Sequence, residues 1–325
     1  MNSRTIRIRG RVKNILYGRD CGFIQSVNEA FPEDCFFGAQ ELTDVSIHDL
    51  EVGDLLEFSR VDGRPESGRG CRHSAVSIRR AAEPRFGAYT KRGGSHSLNE
   101  DEFLIDVIIP DARVLAVVAD GLSNPPNTGW WASSEAITIL VREIRQSALH
   151  RDQVPLSCDP DKRRDEARQL INAVQKAFKR EQQKMTDDRR KGKTTLAIAV
   201  GDADSFVWAA GGDSFILDID FSSGFIKYVA GSRQERTTST VLSPVGDREA
   251  GWNPRVGHRR LGAGHGLLLC SDGIALDKIG RFVTADLEHQ EVCRKIVEHS
   301  IEEIGRDDAT CVLLSWSVPA LRRNQ

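Results

Sequence analysis

The chain has 325 residues, 39% of them apolar and 28% charged, with a formal charge of −2. That length suits one or two domains, and that composition excludes a disordered or fibrous chain. The near-neutral balance excludes a general attraction to nucleic acid or anionic membrane, and no apolar run reaches the roughly 20 residues of a membrane helix.

Residues 4–80 read as short strands parted by turns. In "TIRIRGRV", Ile6, Ile8 and Val12 fall on one face and Arg7, Arg9 and Arg11 on the other, the pattern of a half-buried strand. "CGFIQSV", "DCFFGA", "DLLEFSRV" and "SAVSIRR" follow, with turn signals such as "VDGRPESGRG" between them. Five strands in about 75 residues predict a small all-β barrel. Residues 81–87, with Pro84 and Gly87, read as a linker.

Residues 88–318 follow another grammar, in which apolar strands alternate with amphipathic helices. One helix carries Ile137, Leu140, Val141, Ile144 and Ala148. A second carries Ala167, Leu170, Ile171, Val174, Ala177 and Phe178, and a third Val292, Ile296, Val297, Ile301 and Ile304. Asp159 as N-cap and Pro160 at the first helical position start the second. The predicted strands are "FLIDVII", "RVLAVVAD", "TLAIAVG", "SFVWAAG", "SFILDID", "FIKYVA", "GLLLCSD" and "TCVLLSWS". They come in consecutive pairs, which favours antiparallel hairpins in a layered α+β fold over a parallel doubly wound sheet.

Acids stand at the ends of four of these strands: Glu100 and Asp101, Asp120, Asp272, and Asp307 with Asp308. Singly, each is an ordinary turn residue. Brought together they would repel one another unless cations lay between them, and hard divalent ions with oxygen ligands are the usual remedy. Gly121 has no side chain to keep its carbonyl from a metal.

The ordered segments "GSHSLNED", "VVADG", "GKTTLAIAV", "AAGGDSFIL", "LLLCSDGI" and "RDDATCVLL" resemble the motifs of the metal-dependent serine/threonine protein phosphatases of the 2C type, over about residues 88–317. The resemblance implies a four-layer α/β/β/α sandwich, two antiparallel sheets flanked by helices, preceded by the barrel. It implies two Mg²⁺ or Mn²⁺ ions bridged by Asp120, one of them bound by the Gly121 carbonyl and the other held by Glu100, Asp272 and Asp307. Asp101 would accept hydrogen bonds from water held by the ions. The expected substrate is a phosphoprotein phosphorylated by a serine/threonine kinase, attacked by water with no covalent intermediate.

Several positions depart from the family pattern. His96 stands where an arginine usually grips the phosphate; it is either a weaker, protonation-dependent grip or an ordinary loop residue. Leu122 replaces a histidine general acid. Lys193 stands in place of a glycine, and although "RRKGKTT" suggests a phosphate loop, Asp187 occupies the position where that loop needs glycine. Asp187 and Asp188 are out of register for a third metal, Asp213 and Ser214 read as structural, and Phe215 as packing.

Residues 4–80 resemble a cold-shock domain, an OB-fold barrel that stacks single-stranded nucleic acid on surface aromatics. Phe23 and Phe36 match stacking positions, beside a local basic strip that includes Lys13. Asn14, Ile15, Cys21 and Gly38 replace other expected residues, and the lysines and arginines of residues 1–80 equal the acids in number. Weak RNA or single-stranded DNA binding is one expectation; inward packing of the two phenylalanines, with a docking or regulatory role, is the other. A second reading of the whole chain is a nucleic-acid-binding or scaffold protein with a degenerate phosphatase domain. Seven cysteines, an odd number with no C-x-x-C pair, suit reduced thiols in a cytoplasm, and the basic N-terminus lacks the apolar core of a secretory signal.

Overall fold

The computed structural model describes residues 7–27, 33–62, 72–109, 113–122, 128–151, 155–184, 192–230, 254–262, 264–284 and 287–317. Ile6, Cys71, Asp187, Asp188 and most of the "VDGRPESGRG" turn lie outside the described residues. The chain forms two compact units that divide between Glu83 and Pro84.

In the first unit β1 (Arg7–Leu16), β2 (Cys21–Ser26), β3 (Asp34–Gly38), β4 (Leu55–Asp62) and β5 (His73–Arg80) close into a barrel in the order β1-β2-β3-β5-β4. β3 and β5 pair in parallel, while β1 pairs antiparallel with both β2 and β4. An irregularity in register between Val12 and Asn14 bends β1 so that one strand serves both neighbours. Alternation places Ile8 and Val12 inside with Ile24, Phe37, Leu56, Phe58 and Ile78. Closure leaves no open edge, consistent with an OB-like barrel.

The second unit begins with β6 (Glu83–Lys91), which takes up most of the expected linker. Pro84 is tolerated because β6 lies at the edge of its sheet. Then follow β7 (Glu102–Ile109), β8 (Arg113–Ala119), β9 (Gly121–Leu122), α1 (Gly129–Gln146), α2 (Ala148–Arg151) and α3 (Pro160–Lys184). Next come β10 (Lys193–Thr194), β11 (Leu196–Gly201), β12 (Ser205–Gly211), β13 (Phe215–Asp220), β14 (Ile226–Ala230), β15 (Arg255–Arg260) and β16 (His265–Cys270). α4 (His289–Glu303) and β17 (Ala309–Ser317) complete the unit. The first predicted helix ends earlier than expected: Ser147 closes α1 through its N–H and hydroxyl on the Ile144 carbonyl, and Ala148 opens α2. α3 starts as its sequence demands, with the Lys162 N–H donating to Asp159 Oδ1 at 3.1 Å.

Two five-stranded sheets form, β15-β12-β11-β8-β7 and β14-β13-β16-β17-β6. β8 shows why they stack. Leu115, Val117 and Ala119 pack with α1 and α3, while Val114, Ala116 and Val118 pack with Ile216, Leu267, Leu269, Val312 and Leu314 of the other sheet. The outer face of the second sheet packs Leu217, Leu268 and Leu313 against Val292, Ile296 and Val297 of α4. The result is the α/β/β/α sandwich. β15 was not foreseen: Val256 is its one aliphatic residue, and an edge strand needs little more.

His289 opens α4 in a buried position, bonded through Nε2 to Ser315 Oγ at 2.6 Å and stacked on Phe221. Burial first, then the Arg85 charge, depress its pKa to about 4, with Glu288 opposing. The folded value lies below the unfolded one, so its contribution to stability is complete above about pH 6.5 and is lost as the pH falls toward 4. Between pH 7.5 and 5.0 the expected loss from this group is about 2 kcal/mol. Urea unfolding at the two pH values checks this: wild type should lose that increment and His289→Asn should not.

Candidate active site

The strand ends that carry acids converge. β8 delivers Asp120, and its peptide is fixed on both sides: its N–H donates to Thr195 Oγ1 at 3.0 Å, and its carbonyl accepts from Thr195 N at 2.8 Å and Thr194 Oγ1 at 2.9 Å. The pairing of Gly121 with Thr194 continues this clamp. Asp120 is buried and its pKa is raised well above the ordinary carboxyl range, first by desolvation and then by the charges of Asp101, Asp272, Asp213 and Asp307. Asp101, Asp120, Asp272 and Asp307, predicted from four separate strand ends, therefore lie within one electrostatic cluster. Asp213 belongs to it too, where the sequence suggested a structural role; the "GGDS" turn ahead of β13 was the signal.

Asp101 is raised to about 7, mainly by burial, with the hydroxyls of Ser271 and Thr310 opposing and the Asp308 and Asp307 charges adding. Among the described residues its buried Oδ2 has no hydrogen-bond partner. Asp307 is also raised, by burial and then by Asp272. Asn99 gains a contact the sequence did not assign: Nδ2 donates to Thr90 Oγ1 at 2.7 Å, and Oδ1 accepts from the Asp101 N–H at 3.1 Å.

Glu100 stands in the loop before β7. Its carbonyl accepts from Ser133 Oγ of α1 at 2.6 Å. The first turn of α1 lies against Gly121, and a Cβ added to Gly129 would stand 2.7 Å from the Gly121 carbonyl oxygen and 2.8 Å from Glu100 Oε2. The two oxygens thus face one small region. At the other end of the loop, His96 Nδ1 bonds to Asp308 Oδ2 at 2.9 Å. Desolvation lowers the His96 pKa, but the bond to Asp308 and the charges of Asp308, Glu100 and Asp307 outweigh it and the net shift is upward.

Carboxylates and a main-chain carbonyl are the donor set of a hard divalent cation. Two buried acids, Asp101 and Asp120, and the half-buried Asp307, all with raised pKa values, fit such an ion, because positive charge would offset both burial and mutual repulsion. Among the described residues no three His, Cys, Asp or Glu side chains stand ready to hold an ion as they are. Like charges push one another apart, and a cation reverses the sign of that interaction.

The barrel carries the other predicted residues. Phe36 is only 8% exposed and packs with Cys21, Leu16 and Phe23, and the Phe23 and Phe36 rings meet edge to face at 5.8 Å. Lys13 is paired with Asp34 at 2.6 Å. One stacking candidate is thus largely covered, and the basic residue is locally neutralised.

Known structures share the fold of the second unit. The serine/threonine phosphatase PstP/Ppp of Mycobacterium tuberculosis is 19% identical, with a TM-score of 0.55 over 72% of this chain and 98% of that one. A structure of the PstP catalytic domain in complex with two manganese ions is 20% identical, with a TM-score of 0.57 over 72% and 99%. Stp1 of Staphylococcus aureus is 19% identical, with a TM-score of 0.56 over 72% and 94%. No curated protein sequence matches the chain. The family profile of protein phosphatase 2C matches residues 90–316, well over half of the chain and all of the acid-bearing strand ends. The chain therefore belongs to the protein phosphatase 2C family.

Proposed function

We propose that this protein is a metal-dependent serine/threonine protein phosphatase of the cytoplasm, acting on phosphoproteins made by a serine/threonine kinase. The convergence of Asp101, Asp272 and Asp307 on Asp120, with burial and repulsion acting on Asp101, Asp120 and Asp307, carries the reading. Family membership supports it, as does the neighbouring structure with two manganese ions.

Asp120 would be shared between two cations, with the Gly121 carbonyl, Glu100, Asp272 and Asp307 completing the set. Two divalent cations there would supply an acidified water and offset charge on the phosphoryl oxygens. Asp101 Oδ2, without a hydrogen-bond partner among the described residues, is an acceptor that can orient the attacking water. His96 commits Nδ1 to Asp308, leaving one ring nitrogen for a phosphate. We expect hydrolysis of p-nitrophenyl phosphate and of a phosphothreonine peptide in Mn²⁺ or Mg²⁺, lost on chelation and restored by the metal. Turnover that chelation leaves intact would overturn the metal-dependent mechanism. Efficient turnover of nucleotides or sugar phosphates with none of phosphopeptides would replace the substrate class.

For the barrel we propose regulatory docking of a protein in preference to nucleic-acid binding. The covered Phe36 ring and the Lys13–Asp34 pair support this. A single-stranded oligonucleotide should bind only weakly at low salt, with Phe23→Ala weakening it less than the about 1 kcal/mol lower bound for a stacked base. Tight, salt-sensitive binding abolished by Phe23→Ala would reverse the assignment.

A further inference from the structure

Asp308 is adjacent to the candidate ligand Asp307, but its side chain serves another segment. It is 2% exposed, and both oxygens are engaged. Oδ1 accepts from the Gly93 N–H at 2.7 Å. Oδ2 accepts from the Glu100 N–H at 2.7 Å and bonds to His96 Nδ1 at 2.9 Å. One carboxyl group thus gathers the start, middle and end of the loop that leads into β7.

The main chain reinforces the arrangement. Gly94 N donates to the Gly305 carbonyl at 2.9 Å and Ser95 N to the Arg306 carbonyl at 3.1 Å. Arg92 Nη1 donates to the His96 and Ser97 carbonyls, each at 2.9 Å. The Glu100 backbone is held from two elements at once, its N–H by Asp308 ahead of β17 and its carbonyl by Ser133 of α1. Between those anchors its carboxylate is presented to the region that the Gly121 carbonyl also faces.

We propose that Asp308 is a positioning residue: it holds the Glu100 main chain and the His96 ring in fixed relation to Asp307, so that candidate ligands from β17 and from the β7 loop keep one geometry. The proposal rests on the metal-centre reading for its consequence, although the hydrogen bonds themselves do not. Charge-assisted bonds to a buried carboxylate are short and strong, and a ligand displaced by about 1 Å loses much of its value. Asparagine keeps the volume of Asp308 but has one acceptor oxygen, and it turns an N–H₂ donor toward N–H donors. Asp308→Asn should therefore fail to replace aspartate, whereas a residue that only filled space would tolerate it.

The test compares wild type, Asp308→Asn and His96→Ala. Amide hydrogen exchange in metal-free wild type should show Gly93 and Glu100 protected at least tenfold over exposed loop amides. Asp308→Asn should abolish that protection and weaken Mn²⁺ binding by calorimetry at least tenfold. His96→Ala, which removes one of the three bonds, should keep both amides protected. Fast exchange of the Glu100 amide in wild type would overturn the proposal, whether or not Asp308→Asn folds. So would wild-type Mn²⁺ affinity in a folded Asp308→Asn. Protection of these amides in a wild type that binds no Mn²⁺ would leave the latch standing and sink the metal-centre reading instead.

Discussion

Asp120→Asn is expected to lower metal-dependent turnover by roughly 10²–10³-fold, the scale set by removing a group that stabilises transition-state charge. The substitution is sharp because little else should move. The Asp120 peptide is held by Thr194 and Thr195 through its own N–H and carbonyl, so the asparagine backbone keeps its place. What disappears is the charge that two cations would share. The metal-free variant should be at least as stable as wild type, since Asp120 is buried among Asp101, Asp272, Asp213 and Asp307 and its ionised form is disfavoured there. Thermal melts with and without Mn²⁺ provide the check: wild type should gain stability with the metal, and the variant should lose most of that gain. A variant with full turnover would remove Asp120 from the mechanism, and one that simply unfolds would assign it to structure.

Gly121→Ala should damage fold and activity together. An added Cβ would overlap the Gly129 carbonyl and stand 2.6 Å from the Glu100 carbonyl oxygen. Both neighbours are backbone and cannot rotate away, so α1 and the Glu100 loop would have to shift. Overpacking of this kind costs about 1–3 kcal/mol, and the displaced groups are those that face the acid cluster. Urea unfolding should show that loss, and turnover of p-nitrophenyl phosphate should fall by roughly 10²-fold, as expected when reacting groups are misplaced by about 1 Å. An alanine variant with normal stability would mean that α1 does not pack against Gly121 as described.

Much of the architecture was legible because it rests on short-range signals. "SFVWAAG" coincides with β12 because a short continuous apolar run with β-branched and aromatic residues, bounded by Asp204 and Gly211, reads as a buried strand. Asp159 and Pro160 start α3 through a cap that two neighbouring residues complete. β6 and β15 escaped notice because both are sheet edges, where Pro84, Gly87 and arginines are tolerated and the apolar pattern thins. The same limit applies to the site. Acids at strand ends could be marked along the chain, but not Asp213 as a neighbour of Asp120.

By itself the sequence determined the barrel followed by a layered α+β unit, the paired strands, the start of α3 and the acids at strand ends. These depend on periodicity and on contacts between near neighbours, which composition and spacing record directly. The tertiary structure alone decided which acids meet, that Phe36 is covered, that Lys13 is paired, and that Asp308 holds Glu100 from 208 residues away. Such contacts arise only when stacked sheets bring distant strand ends to one place, where burial and charge act on groups that carry no mark of one another along the chain.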